Sequence, residues 1–156
     1  MSMAPTIRRF LEQRDTPFDV LEHPATGASS WTAEVSHVSG NRVAKAVLLR
    51  DGAGWLLAVL PATHHLRLAW VEQLLGRPVE LAAEENIGEL FPDCDLGALP
   101  PLGPAYGVEV VLDGALGGLE EVAFEGGDHR SLIKVAGRDF EALLDGARRG
   151  TLSAHD

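Results

Sequence analysis

The stretch RVAKAVLLRDGAGWLLAVL, residues 42–60, decides the fold. Arg42 to Arg50 and Trp55 to Leu60 are rich in Val, Leu and Ala, and each run has the length of a strand. Asp51 to Gly54, between them, has the Asp and Gly content of a hairpin turn. The stretch therefore predicts two antiparallel strands that are neighbours in a sheet.

Shorter segments on either side of this hairpin predict further strands and helices. The predicted strands are 18–21, 78–81, 108–112, 121–124 and 132–135, and the predicted helices are 5–14, about 29–38, 64–75, 83–90 and 139–149. A loop is predicted at 24–30. Because strands and helices alternate irregularly and hairpins are present, we predict an α+β class with a mixed, largely antiparallel sheet of about six to seven strands and four to five short helices.

The length and the charge of the chain limit what it can be. With 156 residues it suits one domain, 1–156, and we expect 150–156 to be a frayed tail. The net charge of -10 argues against broad binding to DNA or RNA, since phosphate affinity grows with Lys and Arg. One cysteine, no leader and no membrane-length apolar run predict a cytoplasmic protein without a membrane partner.

Lys45 is the most informative residue of the first strand. Val43, Lys45 and Val47 alternate with Ala44 and Ala46, so both faces are apolar and the strand is predicted to be central and buried on both sides. A buried ammonium needs a carboxylate, carbonyl oxygens or a cavity that reaches solvent. Lys45 either extends to the surface and forms an ordinary ion pair, or lies at the bottom of a pocket and holds a phosphate, a ribose oxygen or a developing oxyanion.

Two glycine-containing segments are further candidates for a site. The loop Gly97 to Gly103, GALPPLG, is stiff, and its glycines can bring backbone N–H groups close to a ligand. On pattern alone, a rigid connection without a ligand is the simpler explanation, because long Pro/Gly loops are often structural. In the turn 126–129, Asp128 and His129 could serve as acid, base or ligand orienter, or the pair could be ordinary turn chemistry.

Other catalytic patterns are missing from the sequence. It contains no CxxC, HExxH, GxSxG, GxxxxGK[ST] or GxGxxG motif. His64 and His65 are adjacent and would diverge on a helix, so they do not form a paired metal site. Cys94 has no neighbouring His or basic residue to activate its thiol, and we interpret it as structural. No metal or organic cofactor is predicted.

Taken together, these segments resemble the YbaK/prolyl-tRNA-synthetase-associated editing domain family over nearly the whole chain. Residues 41–48, NRVAKAVL, are similar to the family's signature strand, in which a lysine follows a small residue. FPDC at 91–94 followed by Gly97 to Pro101 is similar to the family's GxxxP loop. Val111 to Asp113 and the later 125–129, EGGDH, match in order and spacing. The four motifs in this order are far more specific than a lone GxxxP.

The resemblance implies a fold and an activity. It implies a partly barrel-like mixed sheet and a free-standing deacylase that hydrolyses the ester of a mischarged tRNA, of tRNA-Pro or of a related small-amino-acid tRNA. Lys45 matches the family's essential residue, and the implied partners are the acceptor end of aminoacyl-tRNA and an aminoacyl-tRNA synthetase. The residues predicted to bind substrate are Gly97, Ala98, Leu99, Pro100, Pro101, Gly103, Asp128 and His129.

A mechanism follows from the resemblance, and two alternatives stay open. Lys45 and loop amides would hold the terminal adenosine and polarise the ester, while water or a group on the substrate attacks, so no protein nucleophile is needed. The first alternative is a non-catalytic module of the same fold that binds tRNA, a nucleotide or a synthetase. The second is a hydrolase that acts on another small ester or amide without tRNA.

Overall fold

A computed structural model describes residues 3–23, 39–52 and 54–155. In these ranges the helices are α1 Pro5–Gln13, α2 Leu68–Leu75, α3 Glu84–Leu90 and α4 Gly137–Leu143. The strands are β1 Asp19–Glu22, β2 Val43–Asp51, β3 Gly54–Pro61, β4 His64–Leu66, β5 Val79–Leu81, β6 Glu109–Asp113, β7 Glu121–Glu125, β8 Ser131–Ala136, β9 Arg148–Gly150 and β10 Ser153–His155. The loop predicted at 24–30 and the helix predicted at about 29–38 lie outside the described residues.

Most of the strands form one mixed sheet. Its order is β1-β8-β7-β2-β3-β6-β9, and β5 also pairs with β2. β2 runs parallel to β7, β3 parallel to β6 and β6 parallel to β9, whereas the other pairs in this sheet are antiparallel. The predicted hairpin is present as β2 and β3, paired from Ala44 opposite Pro61 to Asp51 opposite Gly54. The predicted α+β class with a mixed sheet is confirmed.

Alternation along β3 places apolar side chains on both faces of the sheet. Leu57 and Val59 belong to the larger core, which also contains residues of α1 and α4. Leu56 and Ala58 belong to a second core, which packs against Val71 of α2. All four of these β3 side chains are fully buried. Burial of both faces by helices fixes β2 and β3 as the interior of the sheet, as the apolar pattern of both faces predicts.

The helix predicted at 64–75 begins later than its periodicity indicates. His64–Leu66 forms β4 and pairs antiparallel with β10, and only Leu68–Leu75 is helical. The backbone N–H of Arg67 donates to the carbonyl of Leu152 at 2.9 Å, which ends the strand and precedes the helix. Long-range pairing with the end of the chain therefore overrides the local helical pattern. The helix ends as predicted at Gly76, which has a φ of 75°.

The C-terminal part of the chain is more ordered than the sequence predicts. The closing helix predicted at 139–149 covers Gly137–Leu143, and Arg148–Gly150 pairs with β6 instead. The expectation of a frayed tail is wrong for 152–155. Leu152 is fully buried, and the Asp113 carboxylate accepts hydrogen bonds from the Leu152 N–H at 3.1 Å and the Ser153 hydroxyl at 2.6 Å. Among the described residues, the three-residue strand β9 brings the main sheet to eight strands, above the predicted six to seven, and β4 and β10 form a second, two-stranded sheet.

Candidate active site

A gap in the strand pairing of β2 lies beside the predicted site. On the side of β2 away from β3, Val43 and Ala44 pair with β7. On the same side, Leu49 to Asp51 pair with β5, and the Leu48 carbonyl accepts from the Ala82 N–H at 3.0 Å. On this side, between these partners, no strand in the described part of the chain pairs with 45–47, which pair with β3 on the other side. Among the described strands, this side of β2 is therefore open over the three residues that begin at Lys45.

A small apolar cavity of about 220 Å³ fills this gap. It brings the strand that carries Lys45 together with the start of the predicted GxxxP loop, although the two are far apart in sequence. Its lining residues are Ala46, Val47, Leu48, Leu81, Ala82, Ile87, Gly97 and Leu99. Since no polar side chain is among them, the polar groups that face the cavity come from the main chain.

Lys45 is half-buried at the end of the gap. Its ammonium makes no hydrogen bond or ion pair with any residue of the described ranges, so the surface ion pair considered from the sequence is not observed there. Burial lowers the pKa of its ammonium, because desolvation disfavours the charged form. By alternation its side chain shares a face with Val43 and Val47, and it is not itself among the residues that line the cavity. A half-buried cation without a protein partner is suited to an anionic or oxyanionic ligand.

The loop 97–103 presents its first residues to the cavity and buries the others. Gly97 is exposed, with a φ of 83° that favours glycine, and both it and Leu99 line the cavity. Gly103 is needed for packing, because a Cβ there would collide with the Val108 carbonyl. Within the described part of the chain, Ala98, Pro100 and Pro101 are also buried. A direct substrate contact by these four residues stays a prediction.

The turn 126–129 supports this loop. The buried Asp128 carboxylate accepts from the N–H groups of Arg130 at 3.0 Å and Ser131 at 2.8 Å, and from the Ser131 hydroxyl at 3.0 Å. His129 hydrogen-bonds through Nε2 to the carbonyl of Leu96. The Asp95 N–H donates to the Gly127 carbonyl at 2.7 Å. In this geometry Asp128 shapes the turn, and the turn holds the residues immediately before Gly97.

A hydrogen-bond network that was not predicted from the sequence holds the residues just before this loop in place. Asp93 accepts from the Thr6 N–H of α1 at 2.9 Å and from the Tyr106 hydroxyl at 2.8 Å. Burial alone would raise the pKa of the Asp93 carboxyl, but these hydrogen bonds outweigh it and the pKa is lowered. The FPDC segment, 91–94, contains this aspartate, yet its partners come from distant parts of the chain and could not be read from local sequence.

Cys94 lies within this network and remains a thiol. Its sulfur is 3.2 Å from the Tyr106 hydroxyl. Burial raises the pKa of the Cys94 thiol to about 12, and the nearby Asp93 carboxylate adds to the rise. A thiol with so high a pKa contains almost no thiolate at neutral pH, and the thiolate is the nucleophilic form. The geometry thus supports the structural role predicted for Cys94.

Comparison with known proteins identifies the family. The sequence model of the aminoacyl-tRNA editing domain matches residues 23–143, which include β2, the cavity and the loop. The chain belongs to this family. The resemblance to YbaK-like editing domains, which the lysine strand and the GxxxP loop predicted, is thereby confirmed.

Two comparisons place the editing domain among its relatives. A proline–tRNA ligase of Bacillus mycoides (strain KBAB4) is 27% identical over 120 residues, which is 74% of this chain and 21% of the ligase. The chain therefore spans about a fifth of that relative's length. A crystal structure of a protein proposed to be a trans-editing enzyme for prolyl-tRNA synthetase is 28% identical, with a TM-score of 0.83 and coverage of 98% of this chain and 99% of that one.

A third comparison concerns the fold alone. The crystal structure of hypothetical protein APE2540 is 24% identical to this chain, with a TM-score of 0.83, and the alignment covers 96% of this chain and 99% of APE2540. Together with the coverage of 98% in the previous comparison, this shows that the shared fold extends over nearly all of the chain.

In the described residues of this editing domain, no helix is both long enough and apolar enough to span a bilayer.

Proposed function

We propose that this editing domain acts in trans as an aminoacyl-tRNA deacylase, and that it removes a wrong amino acid from tRNA-Pro or from a related small-amino-acid tRNA in the cytoplasm. The observation that carries the proposal is the gap in β2. It places the half-buried Lys45 and the Gly97 loop beside one small apolar cavity. The family match supports a substrate that is an aminoacyl-tRNA.

The proposed reaction is hydrolysis of an ester. The oxygen of a water molecule attacks the acyl carbon, and the negative charge moves to the former carbonyl oxygen. The bond between that carbon and the ribose oxygen then breaks, the ribose oxygen takes up a proton, and the products are the free amino acid and uncharged tRNA. The Lys45 ammonium and the Gly97 N–H are suited to stabilise the developing oxyanion, since such donors act most strongly in a partly desolvated site.

The charge of the protein bears on how the tRNA is held. A net charge of -10 disfavours a long phosphate-binding surface, so the proposal is restricted to the acceptor end. A synthetase that grips the rest of the tRNA is the proposed partner. The similarity to a proline–tRNA ligase and to a protein proposed to be a trans-editing enzyme for prolyl-tRNA synthetase supports prolyl-tRNA synthetase in that role.

A deacylation panel tests the proposal. Purified protein is incubated with tRNAs charged with Ala, Cys, Ser, Thr or Pro, and loss of the ester is compared with the spontaneous rate. Lys45→Met should lower kcat/KM at least about 100-fold, the usual loss when an oxyanion-stabilising group is removed. The matched control is the other lysine of the sequence, Lys134. Its Nζ lies 3.7 Å from Oε2 of Glu121 at the surface. Lys134→Met should leave the rate unchanged.

The panel also separates the proposed enzyme from the alternatives. No acceleration on any of the charged tRNAs, from folded protein, would contradict the deacylase and favour a module that only binds tRNA or a synthetase. Turnover of simple aminoacyl esters at the same rate as aminoacyl-tRNA would instead favour a hydrolase that does not need tRNA.

A further inference from the structure

The main-chain groups of β2 alternate between its two sides. The main-chain carbonyl of Val43 faces β3, because it accepts from the Ala62 N–H at 2.7 Å. The main-chain carbonyl of Leu48 faces away from β3, because it accepts from the Ala82 N–H at 3.0 Å. In an antiparallel ladder the N–H and the C=O of one residue face the same side, and neighbouring residues alternate. Odd-numbered residues of β2 therefore bond to β3, and even-numbered residues face the opposite side.

Ala46 is the even-numbered residue at the gap. Ala44 lies opposite Phe124 of β7, Leu48 bonds to Ala82, and Arg50 lies opposite Glu80 of β5. Within the described ranges no residue supplies a main-chain partner for the N–H or the C=O of Ala46. An unpaired strand segment of this kind is a template for one more extended residue.

These two main-chain groups face the cavity. Ala46 is among its lining residues, across from Gly97 and Leu99 of the loop. At about 220 Å³ the cavity is smaller than the roughly 300–1,000 Å³ of typical pockets for whole ligands. It suits one small part of a larger ligand, with apolar walls for a side chain and one donor and one acceptor beside them.

We propose that Ala46 binds the aminoacyl group of the substrate as a one-residue β-bridge. The Ala46 N–H donates to the ester carbonyl oxygen, and the Ala46 C=O accepts from the α-amino group. An α-amino acid carries its nitrogen and its carbonyl in the arrangement of a strand residue, so both bonds form together, as in a hydrogen-bonded antiparallel pair. This inference rests on the proposed function and adds a positioning contact to it. Ala46 binds the carbonyl and α-amino groups that all aminoacyl groups share, whereas the apolar walls of the cavity select the side chain.

The amide-to-ester exchange Ala46→lactic acid, made by semisynthesis, tests the inference. It replaces the N–H by oxygen and keeps the side chain. Ala58→lactic acid is the matched control. Ala58 lies opposite Val47, so the Ala58 N–H bonds across to β2, and Ala58 does not line the cavity. We expect the Ala46 exchange to lower kcat/KM about tenfold and the urea midpoint only slightly, because the Lys45 carbonyl becomes a weaker ester acceptor in its bond to β3. We expect the Ala58 exchange, which also deletes a donor of the sheet, to lower the midpoint more and to leave kcat/KM within about twofold.

Two results would overturn the inference and leave the deacylase in place. One is an active wild-type protein whose kcat/KM is unaffected by Ala46→lactic acid. The other is an Ala46 exchange that lowers the urea midpoint as much as the Ala58 exchange does, since its N–H would then have a protein partner.

A binding measurement keeps the inference testable if the wild type does not hydrolyse any charged tRNA. A non-hydrolysable 3′-alanylamino-adenosine is titrated into ¹⁵N-labelled protein. The inference predicts a downfield shift of the Ala46 amide proton and slower exchange of that proton with solvent. Binding without a change at Ala46, or no binding at all, would overturn it.

Discussion

The imidazole of His129 hydrogen-bonds through Nε2 to the carbonyl oxygen of Leu96, the residue immediately before Gly97. Because a carbonyl only accepts, Nε2 is the donor in this bond. The turn that contains His129 is therefore joined to the loop that lines the cavity. His129 acts on the site through the position of this loop.

We expect His129→Ala to lower kcat/KM about tenfold, because a small displacement of a positioning element has a large effect on rate. The control is His64→Ala, which removes another histidine hydrogen bond, from Nδ1 to the Ser153 hydroxyl at 2.9 Å, at a residue that does not line the cavity. Single-turnover deacylation of both variants is the measurement. Equal rates for the two variants would show that the bond to Leu96 does not position the loop.

Gly97→Ala should reduce both stability and activity. A Cβ at a φ of 83° costs about 1–2 kcal/mol, and Gly97 lines the cavity, so the strain falls on the site. Gly76→Ala is the matched control, since its φ of 75° imposes a similar strain at the end of α2, where a Cβ would contact nothing within 4 Å. Urea midpoints should fall by similar amounts, while kcat/KM falls about tenfold or more only for Gly97→Ala.

Lys45→Met should raise stability at pH 7 while it removes activity. The folded protein lowers the pKa of Lys45 from its ordinary value of 10.5, so the charged form is less favourable in the folded than in the unfolded state. This penalty is fully present below the folded pKa, and it declines as the pH rises through that pKa toward 10.5. Urea unfolding of wild type and variant at several pH values measures it, and the advantage of the variant should shrink as the pH increases.

Cys94→Ser should retain deacylase activity within about threefold. The pKa of the Cys94 thiol is about 12, so the wild-type residue is protonated at neutral pH and contributes no nucleophile. The serine keeps a polar atom beside the Tyr106 hydroxyl. A folded Cys94→Ser protein without activity, or rapid inactivation of the wild type by iodoacetamide at pH 7, would contradict the mechanism without a protein nucleophile.

Asp113→Asn should loosen the end of the chain. The carboxylate of Asp113 is 3% exposed and accepts from Ala115, Leu152 and Ser153. An amide group can no longer accept at both ends, so a buried donor loses its partner, at a cost of about 1–3 kcal/mol. Hydrogen exchange should accelerate in β4 and β10 but not in β7 and β8. Uniform acceleration in all four strands would indicate global destabilisation instead.

The sequence predicts the parts of the site that local pattern encodes. The hairpin 42–60, the lysine within its first strand and the stiff loop after Gly97 follow from alternation and from composition. The family resemblance adds the expectation that strand and loop meet. The role of Asp128 has a local signal, since an aspartate commonly caps a turn by accepting from N–H groups two and three residues later.

The gap itself could not be predicted, because it depends on three separate strands. β7 and β5 pair with different parts of β2, and nothing in the alternation of 43–51 indicates where one partner ends and the next begins. The pairing of β10 with β4 has the same origin, since residues almost 90 positions apart determine whether His64–Leu66 is helical or extended. Long-range pairing decides these features, and periodicity reports only on neighbours along the chain.

The length of the hairpin turn after Asp51 limits which insertions the protein tolerates there. Asp51 lies opposite Gly54, so the length of the connection between them sets the register of β2 against β3. A register shift of one residue exchanges the groups on the two sides of a strand. A single-residue insertion in this turn must therefore be absorbed as a bulge beside the turn, because reversal of β2 would break its pairing with β5 and β7 and turn the main-chain groups of Ala46 away from the gap. Loop length at this surface position is thus coupled, through the register of β2, to recognition at the other end of the strand.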